Sequence, residues 1–404
     1  MKLYSFIRNL SNTQQRGFIQ NVTTKLPNTS NSMIHKLNND YIKNSIDYDN
    51  HEAIFYESGN DYLFMTFIHN TNRGMSQGGA RFYNEYNDIY ELIDDGLRLS
   101  KGMTYKNSLA GLNWGGGKGI IYAPVKSQHI LEKYGQFISS LNGCYYTAED
   151  VGLNTDDIDV IYSKCRYTTC ISEEYGGSGN PSAYTARGVV TALDTVLKFN
   201  NTDITNLVIG IEGLGNVGSQ VLKMLLKKYP KQIFVSENNP EQLKSNSRYL
   251  HSDKVLVTSN LLDKNIDIYI PCAMGNTINT DTIDKISAKI ICGAANNQLE
   301  HNDLSKTLHN RGIIYVPDYL INRMGIVNCS NEMYGHLKCD YDIEKHFDPD
   351  YDHSIPSIIN NLLSNSDNNL LTICDKLANN NFKECKTIRP KKIIEEVCYN
   401  MLTH

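Results

Sequence analysis

The sequence predicts an α/β protein with two domains, a mixed α/β domain followed by a doubly wound domain built on a parallel sheet. Short apolar runs separated by helix-length segments recur between about residues 200 and 318, as in a parallel sheet with helices on both faces. A glycine-rich turn follows the first of these runs. A second glycine-rich segment, residues 175–182, indicates a hinge between the domains, with a cleft beside it.

The bulk composition is that of an ordinary globular protein. The chain has 404 residues, of which 40% are hydrophobic and 21% charged, enough for two or three domains. A net charge of -5 gives no reason to expect nucleic acid or a membrane as partner, and no apolar run reaches the ~18 residues that cross a bilayer. The ten cysteines include no CxxC pair and the eleven histidines no HExxH motif, so we expect free thiols and no metal site.

Residues 1–45 form an N-terminal extension. No Asp or Glu precedes Asp40, and Asn, Ser and Thr are frequent. Mitochondrial transit peptides begin in this way, but arginines are few here, which favours a polar extension or an extra helix on a cytoplasmic protein. Both locations stay open on the sequence alone.

The first domain is predicted to span residues 46–182 and to be completed by C-terminal helices within 355–404. Residues 62–68 predict a strand, and residues 89–103 carry apolar side chains at helical spacing. The second domain is predicted to span residues 183–354. Its predicted strands are residues 207–211, 233–235, 255–257, 266–270, 289–292 and 313–316.

Two lysines, Lys106 and Lys118, flank the three glycines at 115–117 in the first domain. Glycine runs occur where a backbone turns sharply or lies against a ligand. An enclosed lysine needs an anion or a proton-transfer role to offset its lost hydration. The segment therefore predicts a loop in which one ammonium holds an anion and the other exchanges a proton, although surface lysines have the same local pattern.

The glycine-rich turn in the second domain follows a strand and opens a helix, which is where a phosphate-binding turn belongs. Gly213 allows the tight turn, Gly215 lets a pyrophosphate approach the backbone, and Gly218 lets the helix pack on the strand. The helix N-terminus supplies free N–H groups for phosphates. We assign the dinucleotide phosphates to this turn, namely to Gly213, Leu214, Gly215, Asn216, Val217 and Gly218; a glycine turn without a nucleotide is the alternative.

Glu237 stands at the end of the next predicted strand. A carboxylate there accepts hydrogen bonds from ribose hydroxyls and repels a 2′-phosphate. No Arg or Lys occurs in residues 238–241 to bind such a phosphate. The sequence therefore favours NAD over NADP as the cofactor of a Rossmann-type domain.

With these motifs in order, the chain resembles the glutamate/leucine/phenylalanine/valine dehydrogenase superfamily, and most closely its leucine and phenylalanine branch. The resemblance covers roughly residues 47–334. It is carried by Gly78-Gly-Ala-Arg81, Leu97-Arg-Leu-Ser-Lys-Gly-Met-Thr-Tyr-Lys106, Gly115-Gly-Gly-Lys118, Tyr146-Thr-Ala-Glu-Asp150-Val-Gly152, Asn180-Pro-Ser-Ala-Tyr-Thr185-Ala-Arg-Gly-Val189, Gly213-Leu-Gly-Asn-Val-Gly218, Pro271-Cys-Ala273 and Gly293-Ala-Ala-Asn-Asn-Gln298.

The resemblance implies a homo-oligomeric enzyme that oxidises an L-amino acid to a 2-oxo acid and ammonia. By the family pattern Lys106 binds the substrate α-carboxylate, Lys118 is the catalytic lysine and Asp150 relays protons. Gly78 offers its carbonyl to the substrate amine. Thr185 and Asn296 lie by the nicotinamide carboxamide, and Ala273 belongs to the cofactor-binding residues. A non-catalytic relative that binds NAD or an amino acid is the alternative.

Two positions depart from the family pattern. Glutamate-specific members have a lysine where this chain has Gln77, so glutamate is disfavoured and a branched-chain or aromatic substrate is expected, although a different polar amino acid stays open. The resemblance assigns Ala148, Ile326 and Cys329 to the rest of the side-chain pocket. Arg323 and Met324 add bulk where the leucine branch has Ala-Gly; a solvent-facing arginine and a reshaped or substrate-binding pocket are both open.

Overall fold

The computed structural model describes residues 4–5, 39–336, 342–365 and 369–384, so most of the N-terminal extension lies outside the described residues. The chain divides into two compact units. The first unit comprises Met1–Asn180, Cys329–Tyr341 and Asn379–His404, and the second comprises Pro181–Asn328 and Asp342–Ala378. Within the described part of the chain, no helix is both long and apolar enough to cross a membrane.

The first unit is built on a seven-stranded mixed sheet. Its strands are β1 Tyr4–Ser5, β2 Ala53–Ser58, β3 Leu63–Asn70, β4 Ser76–Gln77, β5 Ala80–Phe82, β6 Gly115–Tyr122 and β7 Tyr145–Tyr146, and its helices are α1 Asn39–Asn44, α2 Ile89–Leu109, α3 Gln128–Ser140 and α4 Thr155–Tyr162, with a 3-10 turn at Glu173–Tyr175. The sheet order is β1-β2-β3-β6-β4-β7, and β5 also pairs with β6. Strand β6 is therefore central: it runs antiparallel to β3 and parallel to β4 and β5.

Strand β3 is apolar on both faces because helices cover the sheet on both sides. Phe64 and Ile68 pack into one core with helices α3 and α4, while Met65 and Phe67 pack into a second core with helix α2. Alternate residues of a strand point to opposite faces, so the continuous apolar run predicted at 62–68 serves two cores.

The three glycines before Lys118 belong to strand β6, and the loop predicted there is wrong. A Cβ on Gly116 would lie 2.1 Å from the backbone nitrogen of Thr104 in helix α2, and one on Gly117 would lie 2.8 Å from the ring of Tyr145. The glycines are needed because a helix backbone and an aromatic ring pack directly on the strand. The close neighbours of these glycines are therefore a helix backbone and an aromatic ring, whereas the sequence pattern predicted a sharp turn or a ligand.

The second unit holds a parallel sheet with the strand order β10-β9-β8-β11-β12-β13. Its strands are β8 Val208–Glu212, β9 Gln232–Ser236, β10 Val255–Val257, β11 Ile268–Pro271, β12 Ile290–Ile291 and β13 Ile314–Tyr315, and its helices are α5 Ser182–Phe199, α6 Asn216–Leu226, α7 Pro240–Ser245, α8 Ser247–Leu250, α9 Leu304–Asn310 and α10 Asp318–Ile321, with 3-10 turns at Ile204–Asn206 and Ile283–Lys285. In chain order this is 3-2-1-4-5-6, the doubly wound order of Rossmann domains.

The last elements are helix α11 Met324–His336, a 3-10 turn at Glu344–Phe347, helix α12 Ile355–Ser364 and helix α13 Leu370–Glu384. We expected helices within 355–404 to complete the first domain. Helix α12 instead belongs to the second unit and packs on helix α5, where Ile355 reaches Gly188. The apolar side chains of α12 are buried, and among the described C-terminal residues only those from Asn379 onward belong to the first unit.

Candidate active site

The centre of the candidate site is an ion pair between Lys118 and Asp150. Lys118 Nζ lies 2.5 Å from Asp150 Oδ2, and the two side chains are 4% and 17% exposed. Lys118 is placed by the central strand β6, opposite Phe67 of β3. Asp150 lies on the segment that continues strand β7, which is bonded to the β4–β5 segment through Ala80 N to Ala148 O at 2.8 Å. Two residues that are 32 positions apart are thereby brought into contact in the first unit.

Glycines let these two segments meet. A Cβ on Gly79 would lie 2.6 Å from the Glu149 carbonyl and 2.8 Å from Asp150 Cβ, and one on Gly78 would lie 1.9 Å from the Gly117 carbonyl. Any side chain at either position would displace the backbone that carries the ion pair. The Gly-Gly pair is therefore a packing requirement of the site.

Burial and the neighbouring cations set the charges of the pair. Burial lowers the pKa of Lys118, and Asp150 opposes that change. For Asp150, burial raises the pKa, but the positive charges of Lys118 and Arg81 lower it by more. The pKa of Asp150 is therefore below the ordinary range of an aspartate. The charge of Lys106 also lowers the pKa of Asp150.

Lys106 stands in the last turn of helix α2, which continues past the predicted end at residue 103 and closes with a bond of 3.0 Å from Ala110 N to Lys106 O. Gly78, the other residue expected at the substrate main chain, has its carbonyl engaged: the Tyr145 hydroxyl donates to it at 2.5 Å. A carbonyl oxygen has two lone pairs, so one position for a further donor remains. Tyr145 therefore orients the peptide that the substrate amine is expected to meet.

The predicted side-chain pocket begins at Gln77, whose side chain is completely enclosed in strand β4. Its Oε1 accepts a hydrogen bond of 3.2 Å from the Ser330 hydroxyl. Ala148, Ile326 and Cys329 are all buried, and the last two are three positions apart on one side of helix α11. Ser330 was not predicted, although it adjoins Cys329 in the sequence.

Cys329 Sγ lies 2.7 Å from Cys170 Sγ, and both belong to the seven described cysteines, which are free thiols. The same region holds a buried carboxylate. Glu332 Oε2 accepts hydrogen bonds from the backbone N–H groups of Cys170 at 2.9 Å and Ser178 at 3.0 Å, and from the Ser178 hydroxyl at 2.8 Å. Glu332 thus fastens the glycine-rich segment before residue 180 to helix α11. No cluster of His, Cys, Asp and Glu that could hold a metal occurs in the described ranges.

The glycine turn of the second unit has the features that a dinucleotide needs. Gly213 has a φ of +88°, and a Cβ on Gly218 would lie 2.0 Å from the Gly213 carbonyl, so helix α6 packs tightly on strand β8. Gly215, the N-cap of α6, carries no side-chain cap, and a Cβ there would meet nothing within 4 Å. The open space and the uncapped helix N-terminus fit a pyrophosphate. The segment holds the predicted residues Leu214, Asn216 and Val217 as well.

Glu237 follows strand β9 and closes the turn. Its Oε2 accepts a hydrogen bond of 2.6 Å from Leu214 N, and its Oε1 accepts one of 2.7 Å from Asn239 N. The carboxylate is thereby held beside the glycine turn at the carboxyl end of the sheet, where an acid can reach a ribose.

Two of the remaining predicted cofactor residues, Ala273 and Asn296, follow the carboxyl ends of parallel strands, and the third, Thr185, lies in a helix. Ala273 follows β11 and packs against Gly213, whose added Cβ would lie 2.9 Å from Ala273 Cβ. Asn296 follows β12, and its Oδ1 accepts a bond of 2.9 Å from Asn322 Nδ2. The Thr185 hydroxyl lies in helix α5, where it donates to the Pro181 carbonyl at 3.2 Å. Asn322 was not predicted; its only signal is its position in the Asn-Arg-Met-Gly segment.

Arg323 is fully buried, so the solvent-facing alternative is wrong. Its Nη2 donates to the carbonyl of His353. Burial, together with the charge of Arg323, lowers the pKa of the enclosed His346 to about 3. Met324 is also fully buried and lies against Gly188 of helix α5. Arg323 thus contacts the segment 342–354, and Met324 packs against helix α5.

Comparison with known proteins supports the family resemblance noted from the sequence motifs. The family described as "Glu/Leu/Phe/Val dehydrogenase, dimerisation domain" matches residues 62–167, and "Glutamate/Leucine/Phenylalanine/Valine dehydrogenase" matches residues 231–391. Leucine dehydrogenase of Bacillus subtilis is 37% identical over 295 residues, which are 72% of this chain and 80% of that protein. Valine dehydrogenase of Streptomyces albus is 38% identical over 275 residues, which are 66% of this chain and 75% of that protein.

A solved structure is similar over most of the chain. L-tryptophan dehydrogenase from Nostoc punctiforme superposes with a TM-score of 0.64 at 31% identity, covering 83% of this chain and 96% of that one. The chain belongs to the glutamate/leucine/phenylalanine/valine dehydrogenase family.

Proposed function

We propose that this protein catalyses the NAD-dependent, reversible oxidative deamination of a branched-chain or aromatic L-amino acid to the 2-oxo acid and ammonia. The observation that carries the proposal is the buried Lys118–Asp150 pair, in which Lys118 Nζ lies 2.5 Å from Asp150 Oδ2. A buried lysine with a lowered pKa can act as a base near neutral pH, which a solvated lysine cannot.

The proposed chemistry assigns one task to each group. Lys106 binds the α-carboxylate, and the Gly78 carbonyl accepts a hydrogen bond from the amine. Lys118 removes a proton from the amine and later from the water that attacks the imine, and Asp150 relays these protons. The water oxygen becomes the 2-oxo group, and the nitrogen leaves as ammonia after it regains protons from the same pair.

A dehydrogenase of this family requires a nicotinamide dinucleotide, which when bound accepts the hydride from the substrate α-carbon. We propose that it is NAD. Glu237 is held at the glycine turn by Leu214 and Asn239, and its negative charge opposes a 2′-phosphate. The residues proposed to hold the dinucleotide are those of the turn 213–218, with Thr185, Ala273 and Asn296 at the nicotinamide end.

The uncharged Gln77 supports a substrate without a distal carboxylate. Its amide is enclosed, and its oxygen is engaged by Ser330, so no cation stands at this position to bind glutamate. The leucine, valine and tryptophan dehydrogenases among the relatives support the same substrate class. The matched family description names a dimerisation domain, which supports a homo-oligomer. A cytoplasmic location stays a prediction.

The decisive experiment is a panel of L-amino acids with NAD or NADP, followed by the absorbance of the reduced nicotinamide. We expect turnover with NAD and with leucine, valine, isoleucine, phenylalanine or tryptophan, and little with glutamate. Preferential turnover of glutamate would contradict the role of Gln77. Tight NAD binding without turnover of any amino acid would make the protein a non-catalytic relative instead.

A further inference from the structure

Arg81 and Lys118 bind the same oxygen of Asp150. Lys118 Nζ lies 2.5 Å from Oδ2, and Arg81 Nε lies 3.3 Å from that oxygen. Asp150 Oδ1 has no hydrogen-bond partner among the residues that the structure describes. Two cations therefore share one carboxylate oxygen and leave the other available to a proton on the substrate or on water.

Arg81 is itself held in place on its far side. Its Nη1 lies 2.9 Å from Asp95 Oδ2, and the Tyr86 hydroxyl donates to the same Asp95 oxygen at 2.7 Å. The Arg81 side chain is 15% exposed, and that of Asp95 is 12% exposed. The planar guanidinium of Arg81, on strand β5, thus binds two carboxylates: Asp95 on helix α2 and Asp150 in the segment after β7. A lysine would reach only one of them, because its ammonium is a single point.

We propose that Arg81 is the positioning residue of the acid–base centre: it takes a share of the Asp150 carboxylate away from Lys118 and thereby allows Lys118 to release its proton. This inference rests on the proposed function. It addresses a conflict within that function, because a lysine that is paired with an aspartate holds its proton more firmly than an unpaired lysine does.

The charged and titratable groups around the pair come from several elements. Lys106 and Asp95 lie on helix α2, Arg81 lies on strand β5, Tyr145 lies on β7, and Glu149 precedes Asp150. For Lys118, burial lowers the pKa most, Asp150 raises it, Arg81 lowers it and Asp95 raises it. The positive charge of Arg81 thus opposes the effect of Asp150 on the pKa of Lys118.

The test compares Arg81→Gln and Arg81→Lys with the wild-type enzyme across pH, using one amino acid and saturating NAD. In Arg81→Gln we expect the limb of the kcat/KM–pH profile that reports deprotonation of Lys118 to move to higher pH by about one unit. A shift of this size is expected when a neighbouring positive charge is lost. Arg81→Lys keeps the charge and should move the limb less. The titration of the substrate amine is common to all variants and cancels in the comparison.

The matched control is Arg98→Gln. Arg98 Nη2 lies 4.0 Å from Asp95 Oδ1. This variant therefore also removes one positive charge beside Asp95, but from a residue that does not contact Asp150. We expect its pH profile to coincide with that of the wild type. Thermal unfolding and NADH binding by fluorescence show whether each variant is folded.

A second readout does not require turnover. The pH dependence of Lys118 acetylation by trace acetic anhydride, followed by peptide mass spectrometry, reports the pKa of its amine in cofactor-free protein. An upward shift in Arg81→Gln supports the inference even if the enzyme acts on an untested substrate. If folded Arg81→Gln has the same kcat/KM–pH profile and the same Lys118 acetylation profile as the wild type, the proposed role of Arg81 is overturned. A wild-type protein without amino-acid turnover would overturn the proposed function instead.

Discussion

The Lys118 ammonium meets the Asp150 carboxylate at 2.5 Å inside the first unit, with the lysine side chain only 4% exposed. The contact joins the central strand β6 to the segment after β7, so the sheet itself sets the distance. The proposed proton transfer requires an acid–base pair at hydrogen-bond distance, which this contact supplies.

Replacement of Lys118 by alanine should abolish turnover and leave NAD binding near the wild-type level, because the dinucleotide is assigned to the glycine turn of the second unit. Removal of a positioned acid–base group lowers kcat by about 10²–10⁴-fold. Steady-state kinetics and NADH fluorescence measure the two effects. Lys126→Ala is the control: Lys126 forms a pair of 2.6 Å with Asp157 at a more exposed position and should retain turnover. Full activity of Lys118→Ala would refute its assignment.

The Asp150 pair should also stabilise the fold in a pH-dependent way. The pKa of Asp150 is lowered in the folded protein relative to an ordinary aspartate. Its contribution is therefore fully present above about pH 4, the range of an unfolded aspartate, and is lost as the pH falls through the lowered pKa. We expect Asp150→Asn to unfold at lower urea concentration than the wild type at pH 6, and this difference to shrink below pH 4. Asp303→Asn, which removes an exposed partner of Lys306, should show little difference at either pH.

Two glycines of the same region should respond to alanine in opposite ways. A Cβ on Gly116 would overlap the Thr104 backbone in helix α2, whereas one on Gly102 within α2 would meet nothing within 4 Å. Gly116→Ala must push strand and helix apart and should cost about 3 kcal/mol or more of unfolding free energy, as severe overpacking does. Gly102→Ala should instead stabilise by about 0.5–1 kcal/mol through helix propensity. Denaturant titrations of the two variants decide this; equal effects would contradict the packing described.

Arg323 should behave as a structural anchor of the second unit. Its enclosed guanidinium donates to the His353 carbonyl, so Arg323→Met leaves that carbonyl without this donor. We expect a loss of about 2–4 kcal/mol, in the range for an unsatisfied buried group together with imperfect repacking. The control is Arg187→Met: Arg187 is 41% exposed and binds Glu344 of the same segment, so its loss should cost about 1 kcal/mol or less. Hydrogen exchange in residues 342–354 should rise more in the Arg323 variant.

The parallel sheet was predictable from local patterns. The expected strands at 207–211 and 233–235 correspond to Val208–Glu212 and Gln232–Ser236, because buried strands of a parallel sheet have continuous apolar runs. The glycine turn and Glu237 were found for the same reason, since they lie at fixed offsets from a strand. Helix α12 was assigned to the first domain, whereas it packs on α5 of the second unit, a contact that depends on tertiary packing and not on local pattern.

The glycine run before Lys118 shows where local reasoning fails. Glycine indicates that another group comes close, but it does not say whether that group is a ligand or a neighbouring helix. Here the neighbours are Thr104 and Tyr145, which are distant in sequence. Arg81 was quoted within a motif and received no role, since its partners Asp95 and Asp150 lie 14 and 69 positions away.

The sequence by itself determined the two α/β domains, the dinucleotide turn and the pair of lysines, because these depend on periodicity and on residue types at short spacing. The tertiary structure alone decided that Arg81 and Lys118 share one oxygen of Asp150, that Tyr145 holds the Gly78 carbonyl, and that Arg323 is buried. Hydrogen bonds act over about 3 Å, and only the folded chain brings residues so far apart in sequence within that distance.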